Sequence, residues 1–323
     1  MLTFILCTCQ LLSWMSTHVE LSNGIKMPVL GLGTWLSKPE EVEDAVRNAI
    51  DVGYRLIDTA ACYGNEAEIG KVLKEYFEEG KLKREDIFIT TKLWCTHLHP
   101  NEIEAELRES LKKLQLDYVD LYLVHMPTAF SSDMSAQDHS VKVEDTWKGV
   151  EEAYKKGLAR SIGVSNFSAD QIHRIQKIAS VPIHNNQVEL HLYFPQFELQ
   201  EVCNQYKISL TAYAPLGSPG RVNFNLVNWE KSPNPLENDV VLKLAQKYHK
   251  TPAQILLRHL IQRKIAVIPK SVNASRIKEN FEVFDFSLTV EEINELNSVP
   301  RGKRLFKQEF LIGHPEDPMK DER

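Results

Sequence analysis

Four residues able to hold or move a proton fall at comparable points along the chain: Asp58, Tyr63, Lys92 and His125. Asp58 ends the apolar run "RLID" within "GYRLIDTAACYGNE", and Tyr63 follows at the corner before a new helical pattern. Lys92 lies in "IFITTKLW", and His125 closes "VDLYLVH". A phenol has an ordinary pKa of about 10 and is a poor acid at neutral pH. A neighbouring ammonium favours the phenolate and lowers that value. Lys92 can be that ammonium, Asp58 can keep Lys92 charged and in place, and His125 can donate a hydrogen bond to a substrate oxygen. Together they make a general acid for an oxygen that gains negative charge. Each also has a plainer reading. Asp58 can cap the next turn, Tyr63 can simply pack, and His125, before Met126-Pro127, can be a satisfied core histidine. A lysine buried at a strand end needs a partner. Convergence of all four is what selects chemistry.

The elements that must bring them together alternate. "VLGLGTW" precedes "EEVEDAVRNAIDVG", where Val42, Ala45, Val46, Ala49 and Ile50 recur at helical spacing and Gly53 closes the pattern. Seven further apolar runs, each leading to a helical pattern, start with "RLIDTA", "IFITTKLW", "VDLYLVH", "ARSIGVSN", "IHNNQVEL", "SLTAYAPL" and "AVIPKS". The runs are short and mostly apolar rather than strictly alternating, as strands covered on both faces should be. Eight such units predict an α/β fold of the (β/α)8 TIM-barrel type, with a short N-terminal hairpin and a C-terminal helix and tail. The stretch 238–264 reads as helical with a notch at Pro252. In a barrel all strand C-termini share one face, where active sites are built. The polar and aromatic strand ends would meet there: Thr34, Trp35, Asp58, Lys92, Trp94, His125, Ser165, Asn166, Gln187, Tyr213, Lys270 and Ser271. Tyr122 reads as core.

Bulk properties narrow the field. Net charge is −6 over 323 residues, so no basic field draws nucleic acid. The five scattered cysteines form no zinc-type pair and read as reduced thiols of a cytoplasmic protein. Residues 1–14, "MLTFILCTCQLLSW", form an apolar extension too short for a good spanning helix. They lack the basic start and small-residue cleavage pattern of a signal peptide. A leader, an anchor, or a start at Met15 are the readings open for them; residues 15–323 read as one barrel domain. "GLGTWL" has Leu36 where a third dinucleotide-fingerprint glycine would stand. His97, His99, His184 and His191 invite a metal-dependent hydrolase, but no carboxylate–histidine set completes a ligand shell, so no metal is expected.

The blocks "GYRLIDTAACYGNEAEIG", "GLARSIGVSNF", "NNQVEL", "TAYAPLGS" and "IPKSVNASRIKEN" resemble those of the aldo-keto reductases, in the same order from about Val19 onward. The resemblance implies a (β/α)8 barrel and NADPH-dependent carbonyl reduction, with the catalytic tetrad on Asp58, Tyr63, Lys92 and His125 and Tyr63 as the acid. A nicotinamide needs a flat partner and amide-recognising groups, which Tyr213, Ser165, Asn166 and Gln187 supply. Lys270, Ser271, Asn273 and Arg276 surround a helix start, a place for phosphate that arginine can grip bidentately. The resemblance puts the 2′-phosphate there with Val272, the adenine at Glu279 and Asn280, the pyrophosphate along Leu216 and Ser218, and Thr34, Trp35 and Asp58 on the cofactor side as well. It implies a substrate pocket at Trp35, Trp94, His125 and Met126. Met126 stands where many relatives carry tryptophan, Leu36 where relatives often carry lysine, and the connection 127–147 is shorter than in many animal members. A more open pocket is therefore expected, with the tail from Phe310 covering part of its mouth. The expected partner is a small-molecule carbonyl compound and the expected state a monomer. No membrane contact is expected unless residues 1–14 direct one. The alternative is an NADPH-binding regulatory or structural barrel with little turnover.

Overall fold

A computed structural model describes residues 17–224, 227 and 229–322. The apolar extension 1–14 lies outside the described residues. The chain opens with an antiparallel hairpin, β1 (His18–Glu20) and β2 (Lys26–Pro28), with Val19 opposite Met27. Leu21 and Met27 pack against Leu56, Phe88, Leu121, Leu123, Ala266 and Ile268, so the hairpin plugs one end of the strands that follow.

Those strands are β3 (Leu32–Gly33), β4 (Leu56–Asp58), β5 (Phe88–Leu93) and β6 (Leu121–Val124), then, after a small hairpin of β7 (Ala129–Phe130) and β8 (Gln137–Asp138), β9 (Ile162–Ser165), β10 (Asn185–Glu189), β11 (Ser209–Tyr213) and β12 (Ala266–Val267). β3, β4, β5, β6, β9, β10, β11 and β12 pair in parallel in that order. Parallel bridges Leu30–Val267 and Gly33–Lys270 join the first strand to the last, so the sheet closes on itself. Each strand of the eight sits where an apolar run predicts one. At the closure the glycines of "GLG" have a steric reason: a Cβ on Gly33 would lie 2.7 Å from the Ile268 carbonyl oxygen, and one on Gly31 2.4 Å from Leu56 Cγ.

Among the described residues ten helices surround the sheet: α1 (Pro39–Val52), α2 (Glu66–Glu78), α3 (Ile103–Leu114), α4 (Val143–Lys155), α5 (Ala169–Ile178), α6 (Phe197–Gln205), α7 (Asp239–Tyr248), α8 (Pro252–Gln262), α9 (Ala274–Phe281) and α10 (Val290–Asn297). α1 buries Val42, Ala45, Val46, Ala49 and Ile50, the residues its spacing singled out, and Gly53 ends it at φ 120°. The notch expected at Pro252 is a complete break. His249 turns left-handed at φ 52°, and Thr251 accepts the Gln254 N–H to start a new helix with Pro252 in its first turn. The main core lies between strands and helices, with Trp147, Tyr122 and Tyr54 fully enclosed. No described helix is long and apolar enough to cross a membrane.

Candidate active site

β4 delivers Asp58 to the rim as its last residue. The following 3-10 turn, Ala61–Tyr63, is entered through Ala60 and folds Tyr63 back over the strand end, so Asp58 does not cap it. Asn65 fastens this corner: it accepts from Thr59 Oγ1 at 2.9 Å and donates to the carbonyls of Thr34 at 3.0 Å and Ser37 at 3.3 Å. β5 brings Lys92 alongside. The Lys92 ammonium, wholly buried, donates to Asp58 Oδ1 at 2.6 Å, to the Thr59 carbonyl at 2.9 Å and to the Tyr63 hydroxyl at 3.4 Å. Gln187, from β10, donates to the other Asp58 oxygen at 2.7 Å. Asp58 is thereby held from two sides, and a buried charge has the partners it requires.

His125 follows β6, with its ring edge-on to Tyr63 at 5.6 Å and to Trp94 at 5.1 Å. Burial, and then the nearby Lys92 charge, hold its pKa well below the ordinary value, so the imidazole is neutral. Its Nδ1 lies 3.5 Å from Cys62 Sγ. Tyr63 departs from expectation. Burial first, then the charge of Asp58, pushes its pKa well above the ordinary value instead of lowering it. The Lys92 charge lies closer to Asp58 than to the phenol, and desolvation of a phenolate prevails; the phenol is a held proton.

These groups open onto a cleft of about 2080 Å³. Trp35, Trp94, His125 and Met126 line it, and so do Met134 of the β7–β8 hairpin and Phe310 of the tail. Phe224 and Phe306 pack against Trp35 at 5.8 and 5.6 Å, and Trp229 meets Phe306 at 5.5 Å. Further along, Asn166, left-handed at φ 61°, donates to the His125 carbonyl at 3.0 Å and accepts from the Tyr213 hydroxyl at 2.7 Å. Ser165 Oγ donates to the Gln187 carbonyl at 2.8 Å. Thr34, Leu216, Ser218, Lys270, Ser271, Val272, Arg276, Glu279 and Asn280 continue the lining to the start of α9. Asn273 does not line it; its side chain caps α9, accepting from the Arg276 N–H at 3.0 Å. Glu279 accepts from Thr251 Oγ1 at 2.9 Å. Arg276 is exposed and, among the described residues, pairs with no carboxylate.

The histidines that suggested a metal have other partners. His184 accepts the Ile162 N–H at 3.0 Å, His191 pairs with Glu189 at 3.0 Å, and His99 with Asp138 at 2.8 Å. Among the described residues no group of three or more His, Cys, Asp or Glu is arranged to hold a metal ion.

Residues 29–301 match the model of the Aldo/keto reductase family. The chain is similar to aldo-keto reductase family 1 member A1 of Gallus gallus, 44% identical over 94% of this chain and 97% of that protein. It is 44% identical to the Homo sapiens protein of the same name, over 94% and 98% of the two chains. Among solved structures it resembles the aldose reductase of Schistosoma japonicum, with TM-score 0.87 and 42% identity over 95% of this chain and 100% of that one. It also resembles a Bombyx mori aldo-keto reductase in complex with NADP, with TM-score 0.86 and 37% identity over 93% and 98%. A closed eight-stranded barrel of this kind, matched by the family model across all eight strands, belongs to the aldo/keto reductase family of oxidoreductases.

Proposed function

We propose that this chain reduces aldehydes and ketones to alcohols, with NADPH as hydride donor and Tyr63 as general acid. The observation that carries the reading is the Asp58–Lys92–Tyr63 cluster beside a neutral His125 at the mouth of the barrel. The cleft suits the dinucleotide. One end offers the Tyr213 ring with Asn166 and Gln187 beside it; the other offers Lys270 and Arg276 at the start of α9, where an anion would be welcome. A Bombyx mori relative solved in complex with NADP supports the choice of cofactor. When bound, NADPH supplies the hydride that attacks the carbonyl carbon.

The chain's own residues manage the oxygen. A neutral His125 can donate one N–H to the carbonyl oxygen and orient it toward Tyr63. As negative charge grows there, the Tyr63 proton passes to it, giving the alcohol, and the phenolate left behind faces Lys92. Stabilisation of that phenolate arises only as the proton leaves, which is where it lowers the barrier. Asp58, Gln187 and the Thr59 carbonyl keep the ammonium in place.

NADPH consumption by the purified protein against small aromatic, aliphatic and sugar aldehydes, with Tyr63→Phe alongside, tests the reading. Wild-type turnover and a variant that binds NADPH but loses about 10²–10⁴-fold in kcat are expected. NADPH binding without turnover on any carbonyl would favour a binding barrel instead.

A further inference from the structure

β10 holds two partners at the barrel mouth. Gln187 grips Asp58. Glu189, wholly buried two residues on, holds the C-terminal tail by its backbone: its carboxylate accepts the N–H of Leu305 at 2.6 Å and of Phe306 at 2.9 Å. His191 Nε2 lies 3.0 Å and the Arg304 guanidinium 3.9 Å from the same carboxylate. Burial pushes its pKa upward, but His191, Arg304 and the backbone donors outweigh that and hold it below the ordinary value, so it is an anion. Hydrogen bonds to a buried charge are the strong kind.

What this grip fixes is Phe306. Its ring meets Trp35 at 5.6 Å, Tyr213 at 5.5 Å and Trp229 at 5.5 Å. It therefore touches the pocket wall, the ring assigned to the nicotinamide, and the segment that follows β11. The rest of the tail has anchors elsewhere. Gln137 Nε2 donates to the carbonyls of Phe310 and Ile312, each at 3.0 Å, and Arg174 pairs with Glu316 at 2.7 Å. Loss of the Glu189 grip would loosen the Leu305–Phe306 backbone between the Arg304–Glu322 and Lys307–Glu230 ion pairs and leave the tail beyond it docked.

We propose that Glu189 is a positioning residue for carbonyl reduction, setting Phe306 against Trp35 and Tyr213 by holding the Leu305–Phe306 backbone and so fixing the wall against which the substrate aligns. The inference rests on the reductase reading above.

The test compares the full-length wild type with Glu189→Gln and with Phe306→Leu, which leaves the buried carboxylate intact. Glu189→Gln should raise KM for benzaldehyde about tenfold, the size expected for a lost charge-assisted hydrogen bond and a misplaced wall, with kcat within about twofold. NADPH affinity should hold, and trypsin should cut faster at Arg304 and Lys307. Phe306→Leu should reproduce the KM rise without faster cleavage. A melting temperature that falls while KM stays unchanged would mean a purely structural anchor and overturn the inference. If Glu189→Gln fails to fold, Phe306→Leu decides: an unchanged KM there also overturns it. Wild-type NADPH binding with no turnover would sink the reductase reading and this inference together; wild-type turnover with unchanged KM in both variants would sink this one alone.

Discussion

Lys92 and Lys270 both stand at the C-terminal ends of barrel strands, yet they carry their charges in opposite ways. Lys92 is fully buried with three oxygen partners, among them Asp58 at 2.6 Å. Lys270 is exposed; its ammonium makes one long contact, 3.5 Å to the Leu36 carbonyl, and Arg276 beside it pairs with no carboxylate among the described residues. Partial burial lowers its pKa and the Arg276 charge adds to that, with the Glu41 charge opposing them. The first lysine belongs to an internal network complete without a ligand. The second lies in a pair of like charges that gains from an arriving anion. One rim thus holds a closed charge network and, along the same cleft, two neighbouring like charges, the corner to which the proposed function assigns the 2′-phosphate.

The sharpest way to break that contrast is Lys92→Met. It leaves Asp58 buried with Gln187 as its remaining side-chain donor. Removing one partner of a buried pair costs about 3–5 kcal/mol, readable as a lower urea midpoint at unchanged slope. Asp58→Asn with Lys92→Met should recover part of that loss in a double-mutant cycle. A single-variant cost below about 1 kcal/mol would mean that the network is not the self-contained unit described. Arg276→Ala should do the reverse. Unfolding should hardly change, while the Kd for NADPH rises by about ten- to a hundredfold, the scale of a lost hydrogen bond between charged groups, and that for NADH moves little. Equal weakening of the two cofactors would remove the 2′-phosphate from this corner.

The rim was legible because barrel topology does the placing. A polar residue at the end of an apolar run must reach the common face whatever the helices outside do, so Asp58, Lys92, His125, Asn166 and Gln187 could be assembled from spacing alone. What escaped depends on partners far away in sequence. Glu189 meets a backbone 116 residues downstream, and nothing in "NNQVEL" marks that carboxylate as a grip. Phe224, Trp229 and Phe306 sit in connections and tail, where an aromatic side chain carries no periodic signal. Cys62 faces His125 only because the 3-10 turn swings it there. The direction of the Tyr63 shift needed the balance between desolvation and the Lys92 charge, which composition does not give. His249 as a left-handed break also lacked a cue, while Thr251-Pro252 carried one.

A smaller effect extends the comparison to the other end of β10. His184 stands just before Asn185, buried against the Tyr154 ring, and accepts the Ile162 N–H at 3.0 Å with no carboxylate paired to it among the described residues. Burial lowers its pKa from 6.5 to about 4. Between those values the unfolded chain binds the proton and the folded chain does not, so stability is full above pH 6.5 and falls as pH drops toward 4. At about pH 5.5 the loss from this residue should be roughly 1 kcal/mol relative to neutral pH. His125 and His259, also held neutral by burial, add to the same slope. His184→Gln keeps an acceptor for Ile162 and removes the titration. Its unfolding free energy should therefore fall less between about pH 7.5 and 5.5, by up to one proton's worth of slope. If both proteins lose the same amount, the imidazole titrates freely and the buried layer against α4 accepts a cation without a partner. Lys92 would then owe its burial to something other than Asp58.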